Sequence, residues 1–136
     1  MGEVGQSCEI QIRVRYAECD PMGVLHHAKF LEYFEMGRTE LLRRTGVPYR
    51  QWEEGGYYFL VARIACQYRA PARYDDLLTL TTTIERITRA RIDHSYRITR
   101  DGTLICEATS TLACVNRQGR LIAIPERLTR GSAAPD

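Results

Sequence analysis

Over residues 8–16 apolar and polar side chains alternate, Cys-Glu-Ile-Gln-Ile-Arg-Val-Arg-Tyr, the period of a strand with one buried face. The pattern predicts a first strand there. Over 17–26 the period is lost, and Pro21 and Gly23 mark an irregular turn, a place where chemistry often resides. Over 27–44 the apolar positions Ala28, Leu31, Tyr33, Phe34, Leu41 and Leu42 recur near helical spacing, with Lys29, Glu32, Arg43 and Arg44 largely on the other side. Gly46 supplies the stop. Such a helix is about 27 Å long from its rise per residue, long enough to span a small domain as its core element.

After Val47-Pro48 a short polar stretch has room for one more helical turn before Gly55-Gly56. Strands are predicted over 57–68, 77–88, 91–100, 103–116 and, briefly, 121–124. Asp101-Gly102 is a strong hairpin signal, so the second half should be an antiparallel meander, rich in β-branched residues such as Thr79, Thr81, Thr82, Thr83 and Ile84. One long helix and five or six strands make an α+β fold in which the sheet curls around the helix. A single helix covers only one face, which argues for a homo-oligomer, a dimer or tetramer.

Composition narrows the class. The chain has 136 residues, which suits a single domain over 1–136, with a core at 7–128 and tails at 1–6 and 130–136. At 44% hydrophobic, 26% charged and net charge +2 it reads as an ordinary globular protein with too little basic excess for nucleic acid. Five scattered cysteines without a C-x-x-C pair suggest neither a disulfide framework nor a zinc site and fit a reducing cytoplasm. No export signal and no membrane insertion are expected from the apolar runs.

The irregular segment leads from a strand into the central helix and places Asp20 seven residues before His27 at its first turn. Unpaired N–H groups and the positive dipole end there favour developing negative charge. Acyl transfer needs both parts, an acid–base or nucleophilic group beside a carbonyl and donors where the oxyanion appears.

Cys19-Asp20-Pro21-Met22-Gly23, then His27, then a helix with Glu35 and Arg38, resembles the 4-hydroxybenzoyl-CoA thioesterase family, including the acyl-CoA thioesterases associated with the Tol-Pal system. A second block, Tyr68-Arg69-Ala70-Pro71-Ala72-Arg73-Tyr74-Asp75-Asp76-Leu77, resembles the same proteins, and the likeness runs over 10–128. The resemblance implies a hotdog fold, subunits that pair to build active sites, and hydrolysis of an acyl-CoA to free acid and CoA with no metal or redox cofactor. It implies that Asp20 is the catalytic aspartate, as nucleophile or as base for water, and that the His27 N–H polarises the carbonyl. The His27 side chain matches the histidine of the Tol-Pal branch, not the tyrosine of the 4-hydroxybenzoyl branch. Gly23 and Glu35 fall in supporting positions, with Glu35 the reserve acid. Arg89 and Arg91, in the Arg86–Arg91 turn, fall where the family holds the CoA phosphates, anions that Arg suits.

Plainer readings stand beside these. An Asp before a helix is commonly a cap or turn former. His27 could orient water or Asp20, or merely line the loop, and His26-His27 lacks a third ligand for a metal. Glu35 could pair with Arg38 or Arg43, and the Arg-rich turn could be a solvated hairpin. Cys19 reads as a spectator. Tyr57, Tyr58, Phe59 and Trp52 could serve the core or an acyl pocket. The rival functions are an acyl-carrier-protein thioesterase and a non-catalytic acyl-CoA-binding protein; the acyl group itself is not fixed by sequence.

Overall fold

Alternation along the strands builds the sheet. In the computed structural model, which describes residues 4–129, β1 (Ser7–Arg13) turns Cys8 and Ile12 inward. β2 (Tyr58–Tyr68) follows the helices, and β3 (Leu77–Ile87) buries Leu78, Leu80, Thr82 and Ile84 while Thr79, Thr81 and Thr83 face outward. β4 (Ile92–Arg100) and β5 (Thr103–Val115) complete a meander with β3. Asp101 and Gly102, at φ 49° and 81°, form the left-handed pair that a two-residue hairpin requires. All pairings are antiparallel, in the order β1-β3-β4-β5-β2, and the short β6 (Leu121–Ile122) pairs with the end of β5.

α1 (Lys29–Arg43) lies in the hollow of the curled sheet and buries Phe30, Tyr33, Phe34, Gly37 and Leu41. Gly37 permits the approach: a Cβ there would run into the Thr82 hydroxyl and would stand 2.9 Å from Leu80 Cδ2. Two apolar clusters result. One, around Phe34, Leu80, Ile98 and Ile105, underlies the first half of α1. The other, around Leu41, Trp52, Ile84 and Leu112, is closed by α2 (Tyr49–Glu54) and α3 (Glu126–Thr129).

The strands and the helical turn after Pro48 fall where the residue pattern predicts them, within one or two residues. Three corrections have physical causes. The first strand ends at Arg13, not at residue 16, because Val14 leaves the ladder to exchange backbone hydrogen bonds with Asp75 and Asp76. The helix begins at Lys29, not at residue 27, with Ala28 as its N-cap, because residues 26–29 first form a turn in which the His26 Nδ1 accepts the Ala28 N–H at 3.1 Å and the His26 carbonyl the Lys29 N–H at 2.9 Å. Ala28 and Leu31 face away from the core, and Phe30 and Gly37 take the buried stripe. Trp52 is core, edge-on to half-buried Tyr57. The tail at 130–136 lies outside the described residues. Among the described residues no helix is long and apolar enough to cross a membrane.

Candidate active site

Glu18 organises the loop between β1 and α1. Its carboxylate is buried and accepts the Tyr33 hydroxyl at 2.7 Å, the Arg15 N–H at 2.8 Å and the Arg15 guanidinium at 3.2 Å. Burial works to raise its pKa, but these donors outweigh burial and hold it below the ordinary value. Tyr33 is shifted the other way, its hydroxyl raised by burial and by the neighbouring carboxylate. The Glu18 carbonyl then accepts the His26 N–H at 3.0 Å, Cys19 bridges to Leu25, and the Asp20 N–H donates to Val24 O at 2.8 Å. A miniature hairpin results, with Asp20-Pro21-Met22-Gly23 at its tip.

At that tip the half-buried Asp20 has two faces. Oδ1 accepts the N–H groups of Met22 at 2.9 Å and Val24 at 3.3 Å, the turn-forming role of an Asp. Oδ2 takes part in no hydrogen bond among the described residues, so the carboxylate is fixed in direction while one oxygen stays available. Gly23, at φ +82°, closes the turn by donating its N–H to Asp20 O at 2.9 Å.

The helix entrance leaves the His27 N–H as a spare donor. Through this segment the N–H groups of Met22, Gly23, Val24, Leu25, His26, Ala28 and Lys29 all have acceptors, whereas that of His27 has none among the described residues. The His27 carbonyl, by contrast, accepts the Tyr68 hydroxyl at 2.9 Å. Burial first, and Cys66 second, push that hydroxyl up to about 12, so it remains a protonated donor. The Tyr68 ring stands edge-on to Phe30 of α1. His27 itself is exposed and its ring stacks on His26 at 4.2 Å.

The two sequence blocks meet here. Leu25 N–H donates to Ala72 O at 2.7 Å and Val24 bridges to Arg73, so residues 69–76 form the floor under the Asp20 hairpin. That floor is tied down in turn: Asp76 accepts the Arg73 N–H at 2.8 Å and the Arg100 guanidinium at 2.9 Å.

Other expected residues lie elsewhere. Glu35 is exposed on α1, eight residues and therefore about 12 Å beyond His27, with no ion pair to Arg38 or Arg43 among the described residues. Arg89 and Arg91 are exposed in the β3–β4 turn, where Arg91 lies 3.5 Å from Asp93. The Asp20 loop adjoins the other end of β3, where Arg13 pairs with Leu77. Ten residues of strand, roughly 33 Å, separate the two ends, so one protomer does not bring the arginines to Asp20. Cys19 directs its thiol at Arg15 O, 3.8 Å away. Among the described residues no group of three or more His, Cys, Asp or Glu could hold a metal ion.

The comparisons fall on the same span. Residues 14–131 match the model of the thioesterase-like superfamily. The chain belongs to that superfamily. It is 35% identical over 109 residues to the acyl-CoA thioesterase YneP of Bacillus subtilis, so named provisionally, covering 79% of each chain. It is 35% identical over 106 residues to the acyl-CoA thioesterase YbgC of Haemophilus influenzae, covering 77% of this chain and 78% of that one. A crystal structure of a probable thioesterase from Bartonella henselae superposes with a TM-score of 0.84 at 33% identity, over 88% of this chain and 100% of the other. The fold is the hotdog fold, and the protein is a thioesterase.

The sequence of this thioesterase assigns no site role to Glu18, Tyr33, Tyr68 or His94. Glu18 had a local signal, since a Glu three residues after Arg15 is the reach-back half of a capping box. Tyr33 lies in the helical stripe and Tyr68 opens the second block, but nothing local marks their hydrogen bonds, because their partners lie 15 and 41 residues away. His94 is buried on β4 among apolar neighbours and looks like any strand residue in the alternation.

Proposed function

We propose that this thioesterase hydrolyses acyl-CoA, with Asp20 as general base or nucleophile and the His27 N–H as the oxyanion donor. The observation that carries the reading is that, among the described residues, the His27 N–H at the mouth of α1 has no acceptor, on the same short loop as a carboxylate whose Oδ2 accepts no hydrogen bond. In the base route Asp20 takes a proton from water as its oxygen bonds to the thioester carbon. The electron pair moves to the carbonyl oxygen, where a fixed N–H and the helix end stabilise it at no reorganisation cost. Collapse breaks the C–S bond, and the CoA sulfur leaves with the proton that Asp20 held. In the nucleophilic route the Asp20 carboxylate bonds to the thioester carbon, the C–S bond breaks and CoA leaves as a thiolate that takes its proton from water; a second water then cleaves the anhydride to the free acid and restores the Asp20 carboxylate. Acyl-CoA as the substrate class is supported by the names of the relatives from B. subtilis and H. influenzae.

A second copy of the chain completes this reading. β2 is a sheet edge with Leu60 and Val61 about half exposed, an apolar edge that a lone domain would leave open to mispairing. A copy laid antiparallel along that edge would bring its own Arg89 and Arg91 toward the Asp20 end, where they would hold the CoA phosphates. A particle mass of one chain by sedimentation would refute the second copy.

The deciding experiment is Asp20→Asn. The amide oxygen of Asn can still accept the Met22 and Val24 N–H groups, so the hairpin and the melting temperature should persist. Thiol release from acyl-CoA should fall by about 100-fold to 10,000-fold, the usual contribution of a positioned acid–base group. Full activity in the folded variant refutes the assignment.

A further inference from the structure

The second apolar cluster is not filled. Between the latter half of α1 and the sheet lies a cavity of about 250 Å³, walled by Leu41, Ile84, Ile92, Leu112 and Leu128. It opens in part to solvent, as a ligand cleft does. One corner is polar: His94 of β4 lines it, only 6% exposed, and its Nδ1 has no hydrogen-bond partner among the described residues. Burial first, and the nearby Arg38 charge second, hold its pKa down at about 3, so the ring is neutral and offers one donor and one acceptor. Arg38, on the same wall, is engaged outside the pocket, donating to the Tyr96 hydroxyl at 2.9 Å, and Tyr96 in turn shares a hydrogen bond with Ser110 at 2.5 Å.

We infer that this cavity receives the far end of the acyl group and that His94 selects acyl groups carrying a hydroxyl there. The inference rests on the acyl-CoA reading and adds a substrate class to it. At roughly 30 Å³ per heavy atom, the share of a water in the liquid, the cavity holds about eight heavy atoms. Glu35 and Arg38, both on its wall, stand about 12 and 16 Å along α1 from His27, so the chain must be long enough to follow the helix from the carbonyl to the cavity. A hydroxyl answers neutral imidazole in either tautomer, because it both donates and accepts. A bare hydrocarbon would leave the imidazole unpaired.

The test measures thiol release from paired plain and terminally hydroxylated acyl-CoAs, butanoyl to hexadecanoyl, with the wild type, His94→Leu and Leu112→Trp. The wild type should show kcat/KM about tenfold higher for the hydroxylated member of a medium-length pair, the worth of one buried hydrogen bond. His94→Leu should abolish or reverse that preference, and Leu112→Trp, which fills the cavity, should move the optimum to shorter chains. Equal kcat/KM within every pair in the wild type overturns selection by His94. An unmoved chain-length optimum in folded Leu112→Trp overturns the cavity as the acyl site. The wild type alone gives a second readout, the imidazole nitrogen resonances of His94 on titration with 8-hydroxyoctanoic acid. They should shift on binding, and resonances that stay still at saturating acid overturn the inference even where a variant fails to fold. Absence of thiol release from every acyl-CoA, with those resonances shifting, would instead overturn acyl-CoA as the substrate class and leave the cavity site standing.

Discussion

The Tyr68 hydroxyl, at the end of β2, donates to the carbonyl of His27 at 2.9 Å, where α1 begins. It fixes the peptide that follows the His27 N–H, across 41 residues of sequence. Tyr68→Phe keeps the ring against Phe30 and removes only the donor. We expect kcat to fall by between about twofold and tenfold, with stability changed by less than about 1 kcal/mol. Steady-state kinetics beside a urea melt check this, and an unchanged kcat contradicts it.

Glu18 and Tyr33 couple the loop to the helix through a buried charged hydrogen bond of 2.7 Å. Glu18→Gln and Tyr33→Phe should each destabilise the fold by about 1–3 kcal/mol, and by less than the sum when combined, because they share one bond. Glu18 has its folded pKa below the unfolded value of about 4.3, so its contribution is present above that value and is lost as pH falls through the folded one. Glu18→Gln should therefore flatten the acid limb of the stability curve below about pH 4.3. Additive single and double variants would disprove the coupling.

His94 gives a second, earlier acid limb. Its folded pKa of about 3 lies below the unfolded value of about 6.5, so the unfolded chain binds the extra proton across that window. Stability should be undiminished by this group above about pH 6.5 and decline by up to about 1.4 kcal/mol per pH unit between there and pH 3. His94→Phe should remove that slope in urea titrations at stepped pH. A slope that survives the substitution places its origin in another group.

Gly37 and Thr82 set how closely α1 lies on β3. Gly37→Ala should cost about 1–3 kcal/mol by driving a methyl into the Thr82 hydroxyl. That hydroxyl is buried without a hydrogen-bond partner among the described residues, so Thr82→Ala in the same chain should recover much of the loss. Denaturant melts of the three variants decide the matter, and a double variant no better than Gly37→Ala alone refutes the close approach.

Much of the fold was legible because its cause is local. Alternation such as Leu78-Thr79-Leu80-Thr81 buries one face whatever lies above it, and Asp101-Gly102 can form its turn from its own two residues. The Asp20 loop was legible as a loop, and its resemblance to known proteins singled out Asp20 and His27. Helix facing was harder to read. Gly37 has no apolar side chain, and it belongs to the buried stripe only because Leu80 and Thr82 press against it.

The sequence by itself determined which segments are strands, where the long helix runs, and that a carboxylate stands just ahead of it, since these depend on neighbours a few residues apart. Tertiary structure decided that Ala72 and Arg73 underlie the Asp20 hairpin, that Tyr68 reaches His27, that His94 opens onto a cavity, and that Arg89 and Arg91 lie a strand's length from Asp20. Those relations depend on which strands pair and how the sheet curls, and no period in the chain records contacts between residues so far apart along it.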